Sequence, residues 1–404
     1  MKILLIIIDG LGDAAVPELG NKTPLEAAKI PNLDFFAKNG ICGLVEPFKF
    51  EWQDSPKSDT CHLALLGYEP PKYYLGRGVY EAAGIGMNIK EGDVAFRVNF
   101  ATVDENLKII DRRAGRISKT EQLIKALQGI EIDGVQFLIK KSYGHRAGLI
   151  LRSLTDDVKH LSAKISDGDP HKAGVKVKEI LPLDKSAKAK FTAEVLNKFL
   201  EKTHLILKER SLNKEREKQG LLPANCLLLR GAGQFKKISS FKEKYNLKAG
   251  CIAGGGLYKG IAKILGMDLI RVKGATGLPN TNLKEKILAA NAALKKFDFV
   301  FVHIKAADSL AEDGNFLGKK DFIERIDRNL KPLLNLENTL IVVTGDHSTC
   351  SILKRHCQEP IPILIFGPGI DTDGVEEFSE RACRKGKLGT IKQFGVMEKI
   401  LKLR

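Results

Sequence analysis

Apolar residues along this chain fall into short continuous runs that end abruptly in acidic residues or glycine. Ile3 to Ile8 runs into Asp9-Gly10, and Phe299 to Lys305 (FVFVHIK) leads to Asp308. Thr339 to Thr344 (TLIVVT) leads to Asp346-His347, and Ile361 to Phe366 (IPILIF) closes on Gly367-Pro368-Gly369. Unbroken β-branched and leucine runs of this length suit parallel strands covered on both faces. Helix signals lie between them. Thr23-Pro24-Leu25-Glu26 offers a capping Thr, a Pro at the first helical position and a Glu three residues after the cap. Pro31 opens a second such stretch that stops at Gly40, and helical periodicity returns over Lys284 to Lys296 and Lys320 to Leu334. Strands alternating with helices predict a doubly wound, mainly parallel α/β domain.

The middle of the chain breaks this pattern. From Asp111 to Gly174 the apolar runs shorten and alternate, as in VQFLIKKSY and RAGLILRS. The change predicts a smaller α+β domain inserted at 111–174, with 1–110 and 175–404 forming a discontinuous core. Ala189 to Gln219 reads as one long amphipathic helix with apolar Phe191, Val195, Leu196, Phe199 and Leu207.

Length and composition narrow the class. A chain of 404 residues carries two or three domains at the usual ~150 residues each. With 43% hydrophobic and 28% charged residues it is ordinary globular material, which excludes a disordered or fibrous chain. The net charge of +16 raises three partners: nucleic acid, an anionic membrane surface or a small acidic substrate. The lysines and arginines are spread along helices with no basic block and no interleaved aromatic platform, so a solvated basic surface is expected and no nucleic-acid partner. Ile3 to Ile8 falls far short of the ~20 apolar residues that span a bilayer, and no suitable cleavage site follows it, so neither membrane nor secretory leader is expected. The seven cysteines (Cys42, Cys61, Cys226, Cys251, Cys350, Cys357, Cys383) include no C-x-x-C pair. That count argues against a disulfide scaffold or zinc ribbon and for a reducing cytoplasm.

Ligands of open α/β sheets gather at the carboxyl ends of the strands. Here those ends supply Asp9, Asp308 and Asp346-His347, with His356 shortly after. A single Asp there would be a turn or cap residue. Three converging ends with two histidines point to a divalent metal site. Ser58, in Ser58-Asp59-Thr60-Cys61-His62, has two readings. It is either a helix N-cap or a nucleophile at a helix N-terminus, whose free N–H groups could receive a phosphoryl group. His62 is open between support of the site and helix packing. His303, inside a strand, reads as a buried, satisfied histidine, and His160 and His204 as surface residues.

Ordered motifs through nearly the whole length carry a family resemblance. They are IIIDGLGD, TPLEAAKIPNLDFFAKNGICGLVEP, SDTCHLALLGYEPPKYYLGRG, GDVAFRVNFATVDE, DRRAGRI, HRAGLILR, SDGDPH, LLLRGAG, VKGATGLPNTN, VHIKAAD, TGDHSTC and KRHCQEPIP. The chain resembles the archaeal-type cofactor-independent phosphoglycerate mutases, a branch of the alkaline phosphatase superfamily. The resemblance implies an alkaline-phosphatase-like fold and the glycolytic interconversion of 3-phosphoglycerate and 2-phosphoglycerate. It further implies a phosphoserine on Ser58, two divalent metals (Mn²⁺ or Mg²⁺) and no 2,3-bisphosphoglycerate. By the same resemblance Asp9, Ser58, Asp346 and His347 hold one metal, and Asp308, Glu312 and His356 the other. The resemblance also implies that His145, Arg146, Asp167, Asp169 and Arg230, which fall in its motifs with His171 beside them, and Lys259, which follows the glycine run Gly254 to Gly256, bind the small phosphorylated carboxylate. The inserted domain would retain the glycerate between the two transfers and keep water out.

One position departs from the family pattern. Where D-x-x-x-H is usual, this chain has Asp308-Ser309-Leu310-Ala311-Glu312. The i,i+4 spacing survives, so both side chains can reach one ion from a single helical turn. An anionic oxygen there favours harder cations such as Mg²⁺ or Mn²⁺ over Zn²⁺. The change leaves open a reduced-activity homologue, or a related metal-dependent phosphotransferase or phosphatase on the same core.

Overall fold

The computed structural model describes residues 1–154 and 161–404, and His160 lies outside them. Among the described residues there are sixteen strands. They are β1 (Lys2–Ile8), β2 (Ile41–Glu46), β3 (Val94–Val103), β4 (Ile109–Asp111), β5 (Ile130–Ile132), β6 (Val135–Lys141), β7 (Arg146–Ser153) and β8 (Cys226–Gln234). Next come β9 (Ala249–Ile252), β10 (Asp268–Leu269), β11 (Phe299–Ile304), β12 (Thr339–Thr344), β13 (Ser348–Cys350), β14 (Arg355–Cys357), β15 (Ile361–Phe366) and β16 (Gly389–Lys392). The chain divides into two compact units, Met1–Tyr74 with Ser239–Arg404, and Leu75–Ile238.

The first unit is built on an eight-stranded sheet in the order β10-β9-β11-β1-β12-β15-β2-β16. All neighbours are parallel except β15, which runs antiparallel to both β12 and β2. Its centre is β1, whose residues Ile3 to Ile8 are fully buried between β11 and β12. This is the doubly wound α/β sheet that the unbroken apolar runs predict. The Thr23 signal is realised as a complete capping box: the Thr23 side chain accepts from Glu26 N while Glu26 reaches back to the Thr23 N–H. The other predicted helices form with shifted ends, at Leu283–Leu294 and Phe316–Leu330.

The second unit carries an antiparallel sheet in the order β4-β3-β7-β6-β5, with β8 on the other side of β3. The predicted boundaries at 111 and 174 are therefore too narrow. β3, buried along all ten residues, pairs antiparallel with β7 and with β8. It thus reads as one more covered core strand although it is the axis of the second sheet. One core joins Phe96, Phe100, Phe137 and Leu149 of this sheet to Leu196 and Phe199 of the helix Ala187–Lys208. Phe137 and Phe199 stack at 4.1 Å with an interplanar angle of 2°. The helix Arg77–Gly84 lies so close that a Cβ on Gly78 would sit 2.0 Å from the Ala95 carbonyl oxygen, so only glycine fits. The single helix expected over Ala189 to Gln219 is two, Ala187–Lys208 and Ser211–Lys218, because Arg210 between them is extended (φ −72°, ψ 136°).

Two further expectations are corrected. Cys350 and Cys357 form a disulfide across β13 and β14, so the cysteines are not all thiols. His204 is half-buried, with Nδ1 2.8 Å from the Asn225 carbonyl oxygen, because the helix that carries it packs on β8.

Candidate active site

The carboxyl ends of β1, β11 and β12 bring Asp9, Asp308 and Asp346 together, all completely buried. β1 leaves Asp9 at its tip, where Gly10 turns the chain in the left-handed region (φ 67°) and donates its N–H to Asp346 Oδ1 at 3.1 Å. A Cβ on Gly10 would meet Thr349 Oγ1 at 2.7 Å and Asp308 Cβ at 2.8 Å, so glycine is required twice over. His347 Nε2 lies 3.3 Å from Asp346 Oδ2, 3.7 Å from Asp9 Oδ1 and 3.1 Å from Ser58 Oγ. His356 Nε2 lies 3.3 Å from Asp308 Oδ1 and 3.6 Å from Glu312 Oε1, and its ring stacks on His347 at 3.7 Å. Two sets therefore have ligand atoms within 4.8 Å of one another: Asp9-Asp346-His347 and Asp308-His347-His356. Glu312 stands at the rim, with its side chain 51% exposed.

The hydrogen-bond partners fix the histidine tautomers. Thr349 Oγ1 gives its proton to Asp308 Oδ1 at 2.6 Å, so its 3.2 Å contact with His347 Nδ1 needs the proton on His347. That leaves the His347 Nε2 lone pair facing Ser58, Asp9 and Asp346. His356 Nδ1 donates to the Pro56 carbonyl oxygen at 2.8 Å, which turns Nε2 toward Asp308 and Glu312. Burial pushes His347 down to about 3. Burial opposes the charge on His356 too, but hydrogen bonds to Asp308 and Glu312 outweigh it and raise the imidazole to about 10.

Three buried carboxylates face one ammonium, that of Lys305, which reaches Asp9 Oδ1 at 3.2 Å and also contacts Asp308 Oδ2. Burial and the Asp9 charge push Asp346 well above the carboxylate range. Its Oδ2 is buried and accepts no hydrogen bond among the described residues. A buried oxygen without a partner is costly. Carboxylate oxygens and imidazole Nε2 atoms suit a divalent cation, so the residues present fit such an ion.

Sequence reasoning missed groups that brace these side chains. The Tyr258 hydroxyl donates to Asp9 Oδ2 at 2.5 Å, and its ring stacks on His303 at 3.4 Å. His303, buried as expected, donates from Nε2 to the same oxygen at 2.9 Å. His62 Nδ1 donates to the Ser58 carbonyl oxygen at 2.7 Å, which ties it to the helix that carries Ser58. The N-cap of that helix, Ser58–Leu65, is Lys57; Ser58 is the first helical residue and makes no capping bond. Lys259 is half-buried on the helix Gly256–Ile264 of the first unit, apart in sequence and unit from the other expected substrate residues.

Those others fall in the second unit. β8 pairs Arg230 directly opposite Arg97 of β3, and Arg146 of β7 lies opposite Asn99, two residues along the same face. Asp169 is buried and takes a two-pronged bond from Arg112, at 2.9 and 2.7 Å. Asp167 Oδ1 accepts from Gly231 N at 2.8 Å, and His171 Nδ1 lies 3.4 Å from Arg112 Nη2 and 3.5 Å from Arg230 Nη1. Burial and Arg146 hold the half-exposed His145 down to about 4. Arg77, Arg97 and Arg146 act together on the one carboxylate of Glu81, which they keep below its usual range against burial.

Residues 1–403 match the family model of the Metalloenzyme superfamily. The chain is 50% identical to 2,3-bisphosphoglycerate-independent phosphoglycerate mutase 1 of Methanocaldococcus jannaschii, covering all of this chain and 97% of the relative. It is 49% identical to the enzyme of that name from Methanococcus aeolicus, covering 98% of it. Among solved structures, the cofactor-independent phosphoglycerate mutase of Thermoplasma acidophilum aligns over 100% of this chain and 99% of its own, with a TM-score of 0.71 at 38% identity. A Pyrococcus horikoshii protein aligns over 100% of this chain and 97% of its own, with a TM-score of 0.85 at 33% identity. The protein is a member of the metalloenzyme superfamily, and within it the chain belongs to the 2,3-bisphosphoglycerate-independent phosphoglycerate mutases. No helix among the described residues is long and apolar enough to cross a membrane.

Proposed function

We infer that the chain is an isomerase that interconverts 3-phosphoglycerate and 2-phosphoglycerate through a phosphoserine on Ser58. The observation that carries this reading is the convergence of Ser58 Oγ with His347 Nε2 at 3.1 Å, inside a buried cluster of three carboxylates. Asp9, Ser58, Asp346 and His347 would hold one divalent ion, and Asp308, His356 and Glu312 the second. Mn²⁺ or Mg²⁺ suits that oxygen-rich donor set. When bound, such ions neutralise phosphoryl oxygens and lower the barrier to in-line transfer. The chain's own groups do the rest. The first turn of Ser58–Leu65 offers free N–H groups to the transferred phosphoryl. Tyr258 and His303 fix one oxygen of Asp9, leaving the other to face His347. In the second unit, Arg146 and Arg230 would recognise the glycerate carboxylate as a guanidinium fork, with Asp167, Asp169, His145 and His171 holding them and the hydroxyls in place. Lys259 would add a positive charge for the phosphate.

The test is an enolase-coupled assay on 3-phosphoglycerate with Mn²⁺ or Mg²⁺, run beside a Ser58→Ala variant. The expected outcome is formation of 2-phosphoglycerate by the wild type and a loss of at least 10³-fold in the variant, as for removal of a covalent nucleophile. Release of inorganic phosphate in place of 2-phosphoglycerate would make the chain a phosphatase and overturn the reading.

A further inference from the structure

Apart from Ser58, the metal-site residues lie on three separated stretches of chain: the turn after β1 (Asp9), the helix Ala306–Glu312 (Asp308, Glu312), and the β13–β14 hairpin with the two residues before it (Asp346, His347, His356). A buried lysine joins the first of these to the last. Lys319, in the first turn of Phe316–Leu330 and fully buried, donates to the Gly12 carbonyl oxygen at 3.0 Å, to Asp13 Oδ2 at 2.8 Å and to the Thr349 carbonyl oxygen at 3.1 Å. An ammonium has three protons, and each is placed.

Its partner is equally saturated. Asp13, 3% exposed, accepts from Ala14 N (2.8 Å) and Ser351 N (2.9 Å) through Oδ1, and from Ser351 Oγ (2.6 Å) and Lys319 through Oδ2. The turn and the hairpin are also stitched directly, since Thr349 N donates to Gly12 O at 3.0 Å. From the same Thr349, Oγ1 reaches Asp308. The side-chain bonds of Lys319 and Asp13 go to backbone groups, to Ser351 and to each other, and to none of the metal-site side chains. A buried ion pair contributes little to stability over an apolar pair of similar volume. What this one does is set the turn after β1 and the hairpin at one spacing, and Thr349, whose carbonyl it holds, carries the link on to Asp308.

We propose that Lys319 and Asp13 are positioning residues for the metal cluster, holding the turn after β1 and the β13–β14 hairpin in register so that removing them weakens divalent-cation binding without removing any ligand. The proposal rests on the metal reading above, and outer groups that orient ligands affect affinity by roughly 10- to 100-fold.

The experiment is calorimetric titration of the full-length, chelator-stripped protein with Mn²⁺, with the Tm of the metal-free form measured alongside. Lys319→Met alone strands a buried carboxylate, so the main variant is Asp13→Leu with Lys319→Met, which removes both charges. The expected result is Mn²⁺ binding at least 10-fold weaker than wild type in a double variant that still unfolds cooperatively without metal, at a Tm lowered by the partners that Gly12, Ala14, Thr349 and Ser351 lose. A folded double variant that binds Mn²⁺ as tightly as wild type overturns the proposal. Should the double variant not fold, Ser351→Ala decides: at least threefold weaker binding supports the strut, and unchanged binding overturns it. A wild type that takes up no Mn²⁺ refutes the metal reading itself, an outcome distinct from either.

Discussion

At the scale of single residues, function here depends on which atom of each side chain is already occupied. His347 and His356 each commit Nδ1 to a neighbour, Thr349 and Pro56, and so point Nε2 at the carboxylates. Glu312 is the position where that logic is weakest, being half-exposed and 3.6 Å from His356 Nε2. A histidine there would supply the neutral nitrogen usual in the family at the same i,i+4 spacing. Glu312→His is expected to preserve or raise the mutase rate measured in the coupled assay; a rate that responds neither to this change nor to Asp308→Asn would remove the second ion from the mechanism. Glu380 makes a separate prediction about stability. Burial raises its carboxyl from 4.5 to about 7, although Thr23 Oγ1 and Asp13 N both bond to it. The folded state then holds a proton that the unfolded state releases above pH 4.5. Its contribution is complete below that pH and is lost as pH rises through 7, with a slope of at most about 1.4 kcal/mol per pH unit. Urea titrations between pH 4.5 and 7.5 should show that slope in the wild type and its loss in Glu380→Gln. Asp9, Asp308 and Asp346-His347 were legible in the sequence as candidate ligands because each lies where an apolar run stops. Tyr258, Lys305 and Thr349 were not, since a group that braces a ligand from another strand or helix leaves no spacing to read.

At the scale of elements, the decisive piece is the β13–β14 hairpin, which pairs Thr349 opposite His356 and so sets the second imidazole beside the first. The Cys350–Cys357 disulfide clasps it across a separation of seven residues. Spacing gave no hint of this pair, because only the antiparallel register brings the two positions together, and a cysteine count argues from averages. Closing so short a loop restricts the unfolded chain by roughly 2 kcal/mol. Thermal melts of Cys350→Ser should show a lower Tm than the oxidised wild type. Adding a reductant should lower the wild-type Tm to that of the variant and leave the variant unmoved. A reductant that shifts neither would mean the clasp adds no stability. Other elements were legible to different depths. Unbroken runs such as Ile3 to Ile8 gave strands directly, and the Thr23 capping box was read residue by residue. The break at Arg210 was missed because Glu209-Arg210-Ser211 continues the helical polarity while the backbone turns extended.

At the scale of the whole molecule, the misplaced domain boundary has a physical cause and a measurable consequence. Amphipathic alternation marks a sheet with one wet face, and β6 shows it, but β3 is covered on both faces and therefore looks like a strand of the parallel sheet. The +16 charge was no guide to this division, being spread over helices of the whole chain. In the folded unit Leu75–Ile238 the two chain ends are neighbours: a Cβ on Gly76 would stand 2.3 Å from Gly233 Cα. The aromatic core of Phe96, Phe100, Phe137 and Phe199 lies wholly inside it. An insertion with adjacent ends and its own core has what independent folding requires. A fragment of residues 75–238 should therefore unfold cooperatively in urea, and Phe199→Ala should destabilise it by about 3–5 kcal/mol, the usual cost of deleting a buried aromatic ring. A fragment of residues 111–174, lacking β3, β8 and the helix Ala187–Lys208, should show no cooperative transition. Mn²⁺ sharpens the contrast, since every residue assigned to the two ions belongs to the other unit. Adding it should raise the Tm of the full chain, in proportion to binding of the native state alone, and leave the 75–238 fragment unchanged. A fragment that melts without cooperativity, or that Mn²⁺ stabilises as much as the full chain, would show that the division into two units does not describe how this protein folds.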